Sequence, residues 1–314
     1  MIPGDTVDDL AFLRDAPPVT TWLHVVANGP VDLAPLASCP ALEDVAVLTG
    51  EVNTSYEVLP TLTALRCLQV ATPDHGRDLS FLARCPSLTG VVLYGCTALS
   101  DLSALVSASR LRYVNLREAQ HIRDLSALTG LSDLASLIID GAPLIGGVAA
   151  VTPLLDRLEE FGVWSVPTAT SLDALAGSSL EEINLADCPI TELAPLATLQ
   201  SLTRVWLRDF PTVDLAPLAT LPHLRELRLA GIDEPVDLSP LARTHHRLRV
   251  ELLWNTSTVG TADLSSRSGD VERNSTSHGL YCRSGSWSGR RAASMVFGGR
   301  NSGRPRPSIR MCHP

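Results

Sequence analysis

Apolar residues recur along this chain on a beat of about 23 residues. Each beat carries a three-position ladder: an aliphatic residue, two others, an aliphatic, one other, an aliphatic. The ladder reads Leu42/Val45/Val47, Leu65/Leu68/Val70, Leu88/Val91/Leu93, Leu111/Val114/Leu116 and Leu134/Leu137/Ile139. It continues through Leu158/Phe161/Val163, Leu180/Ile183/Leu185, Leu202/Val205/Leu207 and Leu224/Leu227/Leu229. The end rungs are ragged, with Val19 and Trp22 at the start and Val250 and Leu252 at the finish. Self-similarity at such a period marks a solenoid, in which one supersecondary unit stacks on copies of itself. Alternation within each ladder predicts a short strand with every second residue turned to solvent.

A second pattern precedes each ladder. Asp32-Leu-Ala-Pro-Leu, Asp78-Leu-Ser-Phe-Leu, Asp101-Leu-Ser-Ala-Leu, Asp124-Leu-Ser-Ala-Leu and Asp237-Leu-Ser-Pro-Leu are clear openings, and those at Ser55 and Val148 are eroded. Between Thr191 and Leu229 the sentence Leu-Ala-Pro-Leu-Ala is written twice, after Glu192 and after Asp214. Ser80, Ser103, Ser126 and Ser239 stand where a helix N-cap belongs, with Pro240 at the first helical position. About six residues later a proline often follows, as in Cys39-Pro40, Cys85-Pro86 and Leu221-Pro222. Such short stretches predict 3₁₀ or single-turn pieces.

These motifs resemble the leucine-rich repeat family, in its short bacterial form with D-L-[SA]-P-L openings, as in internalin-like repeats. The resemblance covers about Val7 to Trp254. It implies an α/β leucine-rich repeat solenoid with a parallel β-sheet on the concave face and short 3₁₀/α turns on the convex face. The asparagine usual after the ladder is replaced here, for instance by Cys96 and Cys188. Family members of this kind bind proteins and are not themselves enzymes. Some bacterial arrays serve as the sensor arm of a signalling NTPase, and the chain's direct entry into a repeat fits a fragment or arm of a larger assembly.

The expected division is a repeat domain over 1–254, with ten or eleven repeats, and a disordered tail over 255–314. That tail is rich in Ser, Gly and Arg and holds few apolar residues, a composition that cannot offset ordering entropy. It reads as a linker, as a frame-shifted end, or as a basic arm.

Composition narrows the chemistry. Apolar content of 45% with 4% aromatics makes an aliphatic core. A net charge of −9 argues against a nucleic-acid partner, which needs a basic footprint. The chain has no lysine, which excludes a Walker A phosphate loop and Schiff-base catalysis. The seven cysteines are widely spaced and never form a C-x-x-C pair, as expected of reduced thiols in a cytoplasmic protein. Neither a signal peptide nor a membrane span is legible, which sets an internalin-like secreted adhesin behind the other readings. The three N-x-[ST] matches carry no weight without a secretion signal.

The outward strand positions gather the scarce aromatics. Tyr94, Tyr113, Trp164 and Trp206 fall there beside Asn115, Arg117, Arg204, Arg208 and Arg228. Trp, Tyr and Arg dominate interface hot spots, so these nine residues are the expected partner-binding patch. The alternative is a set of ordinary exposed side chains on a wide sheet. Glu159-Glu160 and Glu181-Glu182 read as a solvated face, because an open sheet offers no closed cleft to shift a carboxylate. His245-His246 lacks metal-ligand spacing, and Cys39 and Cys85 read as packing residues. No cofactor and no metal are expected. The function expected is non-catalytic protein recognition by a monomer or by part of a larger signalling protein.

Overall fold

The computed structural model describes residues 10–15, 20–27, 31–49, 55–71, 79–242, 248–253, 256–259, 271–274 and 309–310. Two compact units divide the chain. The first comprises Met1–Ala135, Ile139–Pro143 and Ser302–Pro314, and the second Ser136–Ile138 and Leu144–Asn301.

The first unit stacks five parallel strands in chain order: β1 (Trp22–Ala27), β2 (Asp44–Thr49), β3 (Cys67–Ala71), β4 (Gly90–Tyr94) and β5 (Tyr113–Leu116). Strand β6 (Ser136–Asp140) supplies residues to both units. The second unit stacks β7 (Glu160–Trp164), β8 (Glu182–Ala186), β9 (Arg204–Arg208) and β10 (Glu226–Ala230). After a two-residue strand, β11 (Val236–Asp237), the ladder resumes with β12 (Arg249–Leu253), which pairs with β10. Strand β11 pairs separately with β13 (Thr258–Val259). The eleven ladder strands begin 22–24 residues apart, which is the sequence beat made physical. Each unit is a leucine-rich repeat solenoid.

Ladder side chains form the core. Leu42, Val45 and Val47 are fully buried, and so are Leu134, Leu137 and Ile139. At the first rung Leu23 and Val25 take the inward places, by register with Val45 and Val47, and Trp22 faces outward. Expecting Trp22 in the ladder placed that strand one residue out, and a one-residue slip exchanges the two faces of a strand.

On the other side of each repeat lie 3₁₀ turns such as Ala34–Ser38, Ser80–Arg84, Ala194–Thr198 and Ala216–Thr220, with single α-turns α1 (Ser103–Val106) and α2 (Ser239–Ala242). The expected serine caps are not the caps. Ser103 is the first helical residue, and its backbone N–H donates to Asp101 Oδ1 at 2.8 Å, while its hydroxyl donates to Asp101 Oδ2 at 2.7 Å. Asp124 holds Ser126 in the same way, and Asp32, Asp214 and Asp237 each accept from the N–H two residues on. The opening aspartate thus makes an Asx-turn that starts the helical turn. Pro240 is accordingly the second residue of α2. The Ser103 hydroxyl and N–H hold the Asp101 carboxyl below its ordinary value, and Asp237 is lowered likewise by Ser239.

A further period appears two residues beyond each ladder. Gly95, Glu118, Gly141, Ser165, Asp187, Asp209 and Gly231 all have φ between 48° and 75°. This left-handed turn swings the chain off the sheet. Its N–H then reaches the next repeat: Ser165 to Ala186 O at 2.9 Å, Asp187 to Arg208 O at 3.0 Å and Asp209 to Ala230 O at 2.9 Å. Only glycine adopts this conformation without strain, so Glu118, Ser165, Asp187 and Asp209 each cost of order 1 kcal/mol.

The place usually held by asparagine is filled by Cys96, Ala119, Ala142, Val166, Cys188, Phe210 and Ile232, all buried. Where a donor is present it is a thiol: Cys96 Sγ lies 3.3 Å from Leu93 O and Cys188 Sγ 3.2 Å from Ala186 O. Cys39 and Cys85 are buried, and burial pushes the Cys85 thiol up to about 11, the opposite of a nucleophile's tuning. The tail expected over 255–314 falls outside the described residues apart from short stretches, as do His245 and His246. Among the described residues no helix is long and apolar enough to cross a membrane, and no cluster of His, Cys, Asp and Glu could hold a metal.

Candidate functional site

Parallel register aligns the outward side chains of the second unit into three rows. The first is Glu160, Glu182, Arg204, Glu226 and Arg249, and the second Gly162, Asn184, Trp206, Arg228 and Glu251. The third is Trp164, Ala186, Arg208, Ala230 and Leu253. Strands about 4.8 Å apart bring neighbours in a row into direct contact.

Trp164 is only 6% exposed although it points outward. Ala186 beside it is too small to stand in its way. The Trp164 ring meets that of Trp206 edge-on, with centroids 6.2 Å apart, and the Arg208 guanidinium sits 5.6 Å from its centre. An edge-to-face pair and a cation–π contact each contribute about 0.5–1.5 kcal/mol, so this corner is rigid. Trp206 and Arg208 keep part of their surface exposed, and Arg204 is exposed.

From Glu182 onward charges alternate along the first row, and they pair within it and with the charged end of the second row. Arg204 pairs with Glu182 through its Nε, Arg228 with Glu226 at 2.6 Å and Glu251 at 2.8 Å, and Arg249 with Glu251 at 2.8 Å. The exception is Glu160, whose row neighbour is another carboxylate, Glu182. Ser136 donates to Glu160 Oε2 at 2.5 Å, and the Asn184 amide donates to Glu160 Oε1 at 2.8 Å and Glu182 Oε1 at 3.4 Å. Burial first, and then the Glu182 charge, push the Glu160 carboxyl up to about 7. The expectation of a freely solvated Glu160 is therefore corrected. It sits under its neighbours, and the repulsion comes from a residue 22 positions away, not from adjacent Glu159. The signal was present in the sequence, because register puts Ser136, Glu160, Glu182 and Arg204 at the same repeat position.

The first unit presents a different surface. Tyr94, Arg117 and Asp140 form one group, with Arg117 Nε 3.0 Å from Asp140 Oδ2 and its guanidinium 5.7 Å from the Tyr94 ring centre. Asn115 Nδ2 donates to the Tyr113 hydroxyl at 3.0 Å. Tyr113 and Asn115 are 6% and 5% exposed, so outward orientation does not make them accessible. The ring of Tyr113 lies where Gly90 leaves room, 3.7 Å from the place a Cβ would occupy. Asp44, at the same repeat position on β2, has its carboxyl pushed up to about 6 by burial.

The nine expected residues thus fall in two groups: Tyr94, Tyr113, Asn115 and Arg117 in the first unit, and Trp164, Arg204, Trp206, Arg208 and Arg228 in the second. Three of them, Tyr113, Asn115 and Trp164, are buried against neighbours instead of being open to solvent.

No known protein-family profile matches the chain, and no curated protein matches its sequence. Among solved structures it is similar to an internalin, InlF, from Listeria monocytogenes at 20% identity, covering 78% of each chain with a TM-score of 0.48. Internalin C2 of the same organism is 25% identical over 62% of this chain and 74% of its own, with a TM-score of 0.32. The Leptospira interrogans leucine-rich repeat protein LIC12759 is 15% identical over 78% of this chain and 64% of its own, at 0.46. With these three TM-scores below 0.5, the fold rests on the chain's own geometry: its 22–24-residue strand spacing, parallel register and 3₁₀ turns are those of a leucine-rich repeat solenoid.

Proposed function

We propose that this chain recognises another protein, without catalysis, through the outward face of the second unit. One observation carries the reading. Trp206 stands partly exposed among Arg204, Arg208 and Arg228, on a support made rigid by Trp164 and the charge rows. Pre-positioned Trp and Arg side chains are what interface hot spots consist of, and holding them before contact lowers the entropy cost of binding. The first-unit group, with Tyr113 and Asn115 closed over, offers less surface to grip. No observation favours the signalling-NTPase arm.

The test uses the full chain as bait in extracts of its native source. A partner retained by the unaltered chain should be lost from Trp206→Ala, about 2–3 kcal/mol or roughly 30- to 150-fold in affinity. Circular dichroism must show both proteins folded at the assay temperature. Trp164→Ala is a poorer probe, because that ring is buried and its loss acts on stability. Equal retention by Trp206→Ala would overturn the proposal.

A further inference from the structure

The charges on the outward face of the second unit are layered. Arg204, Arg228 and Arg249 keep 44%, 27% and 49% of their side chains exposed, whereas their partners Glu182, Glu226 and Glu251 keep 23%, 19% and 17%. A guanidinium on its long stem reaches past the carboxylate it pairs with, so a body approaching the first two rows meets cation before anion. At the turn beyond the sheet the order reverses, with Asp209 50% exposed beside Arg208 at 23%. The cationic layer therefore belongs to the first two rows. Within them Glu182, Glu226 and Glu251 balance the three arginines, and the carboxylate in excess is Glu160. It is hydrogen-bonded by Ser136 on β6 and Asn184 on β8, and the charges acting on it are Glu182 and Arg204. Its carboxyl, pushed up to about 7, holds its proton at pH 6.

Arg204 also has hydrogen-bonding capacity left over. Among the described residues only its Nε is engaged, by Glu182, and neither Nη nitrogen has an acceptor. Arg228, by contrast, is held from both sides, with Nη2 2.6 Å from Glu226 and Nε 2.8 Å from Glu251. The Nη pair of a guanidinium presents parallel N–H donors that match the two oxygens of a carboxylate. A carboxamide offers one acceptor, and an ammonium offers none and is repelled. Arg204 stands two residues before Trp206 on the same face of β9, so one extended segment can cover both. The indole then shields the charge pair from water, which strengthens it.

We infer that the first two rows around Arg204 and Trp206 dock an acidic segment of the protein partner, with one Asp or Glu carboxylate on the Arg204 Nη groups. This site deepens, and rests on, the recognition proposed for the second unit.

The experiment titrates the full chain, at pH 6 and fixed ionic strength, with N-acetylated and C-amidated tetraglutamate, tetraglutamine and tetralysine. The readout is the Trp206 indole N–H resonance, assigned by its absence in Trp206→Phe, so that peptide held elsewhere on the chain is not read. The expected result is a saturable shift with tetraglutamate and about fivefold weaker binding of tetraglutamine, the upper range for an exposed ion pair. Arg204→Gln should remove that preference, and Arg204→Lys, which keeps the charge without the fork, should retain part of it. At pH 8, with Glu160 ionised, tetraglutamate should bind roughly two- to fivefold more weakly. No shift, equal binding of tetraglutamate and tetraglutamine, tighter binding of tetralysine, a preference unchanged in Arg204→Gln, or tighter tetraglutamate binding at pH 8 each overturns the acidic site. Capture of the partner, with every variant shown folded by circular dichroism, then separates this site from the surface reading. Loss from both Trp206→Ala and Arg204→Gln supports both. Loss from Trp206→Ala alone keeps the surface and overturns the acidic site. Loss from Arg204→Gln alone keeps the acidic site and overturns Trp206 as the anchor. Retention by both overturns the surface and the acidic site with it.

Discussion

The two units are built from one repeat, yet the outward side chains of each differ in character. In the first, the middle row runs from half-buried His24 to Ala46, Gln69, Val92 and Asn115, the last four all at or below 9% exposure. Its lower row runs from half-buried Asp44 and Cys67 to Gly90, with Tyr113 laid alongside. In the second unit the same positions hold Asn184, Trp206, Arg228 and Glu251, and Glu160, Glu182, Arg204 and Glu226. Short side chains on a sheet are covered by their neighbours across the strands. Long charged ones stand above that level and keep surface in water, paired along the rows. Pointing outward and being available are therefore separate properties, and what the neighbouring strands place beside a side chain decides between them, as Ala186 does for Trp164 and Gly90 for Tyr113.

Titration sharpens this comparison most. Among the described strand residues, outward Glu160 in the second unit and Asp44 in the first have raised carboxyl pKa values, at about 7 and about 6. A carboxyl that holds its proton more tightly when folded takes up protons on folding between the unfolded and folded pKa. Stability therefore falls as pH rises, from about 4 to 6 for Asp44 and about 4.5 to 7 for Glu160. Glu160→Gln should raise stability at pH 8 by about 2 kcal/mol and remove the part of the decline between pH 6 and 7. Asp44→Asn should remove only the lower part. Urea unfolding from pH 4 to 8 measures both, and identical profiles for the two variants would break the distinction.

The two buried asparagines come next. Asn184→Ala strips donors from two carboxylates and should cost about 2 kcal/mol, whereas Asn115→Ala removes one bond to a neutral hydroxyl and should cost about 1 kcal/mol. Their midpoints in the same urea series test the order. The smallest effect concerns a turn outside either patch. Glu118, exposed with φ of 57°, stands where Gly95 and Gly141 serve neighbouring repeats. Glu118→Gly should stabilise by about 0.5–1 kcal/mol through relief of that strain, read as a higher melting temperature.

The fold was legible because the ladder's alternation has a single structural reading once it repeats ten times. The sites were legible only as directions. Tyr94, Arg204 and Trp206 point outward as their alternation requires, but nothing local to Trp164 announces that Ala186 lets it lie under Arg208. Glu160 was misjudged for a related reason. Its chemistry depends on Ser136, Glu182 and Asn184, which lie one repeat away, and adjacent Glu159 is irrelevant to it. Asp-Leu-Ser offers two residues of about equal capping preference, and only the structure shows that the carboxylate takes the role, through the two-residue reach of an Asx-turn. The left-handed turns were hidden because Glu118, Ser165, Asp187 and Asp209 stand where glycine would have marked them.

Hydroxyl-radical footprinting of the full chain with and without its captured partner tests the central claim in one measurement. Trp206 and Tyr94 are both partly exposed, so both oxidise in the free chain. Partner binding should reduce oxidation of Trp206 severalfold and leave Tyr94 unchanged. Protection of Tyr94 with Trp206 unchanged would place the interface on the first unit and contradict the account.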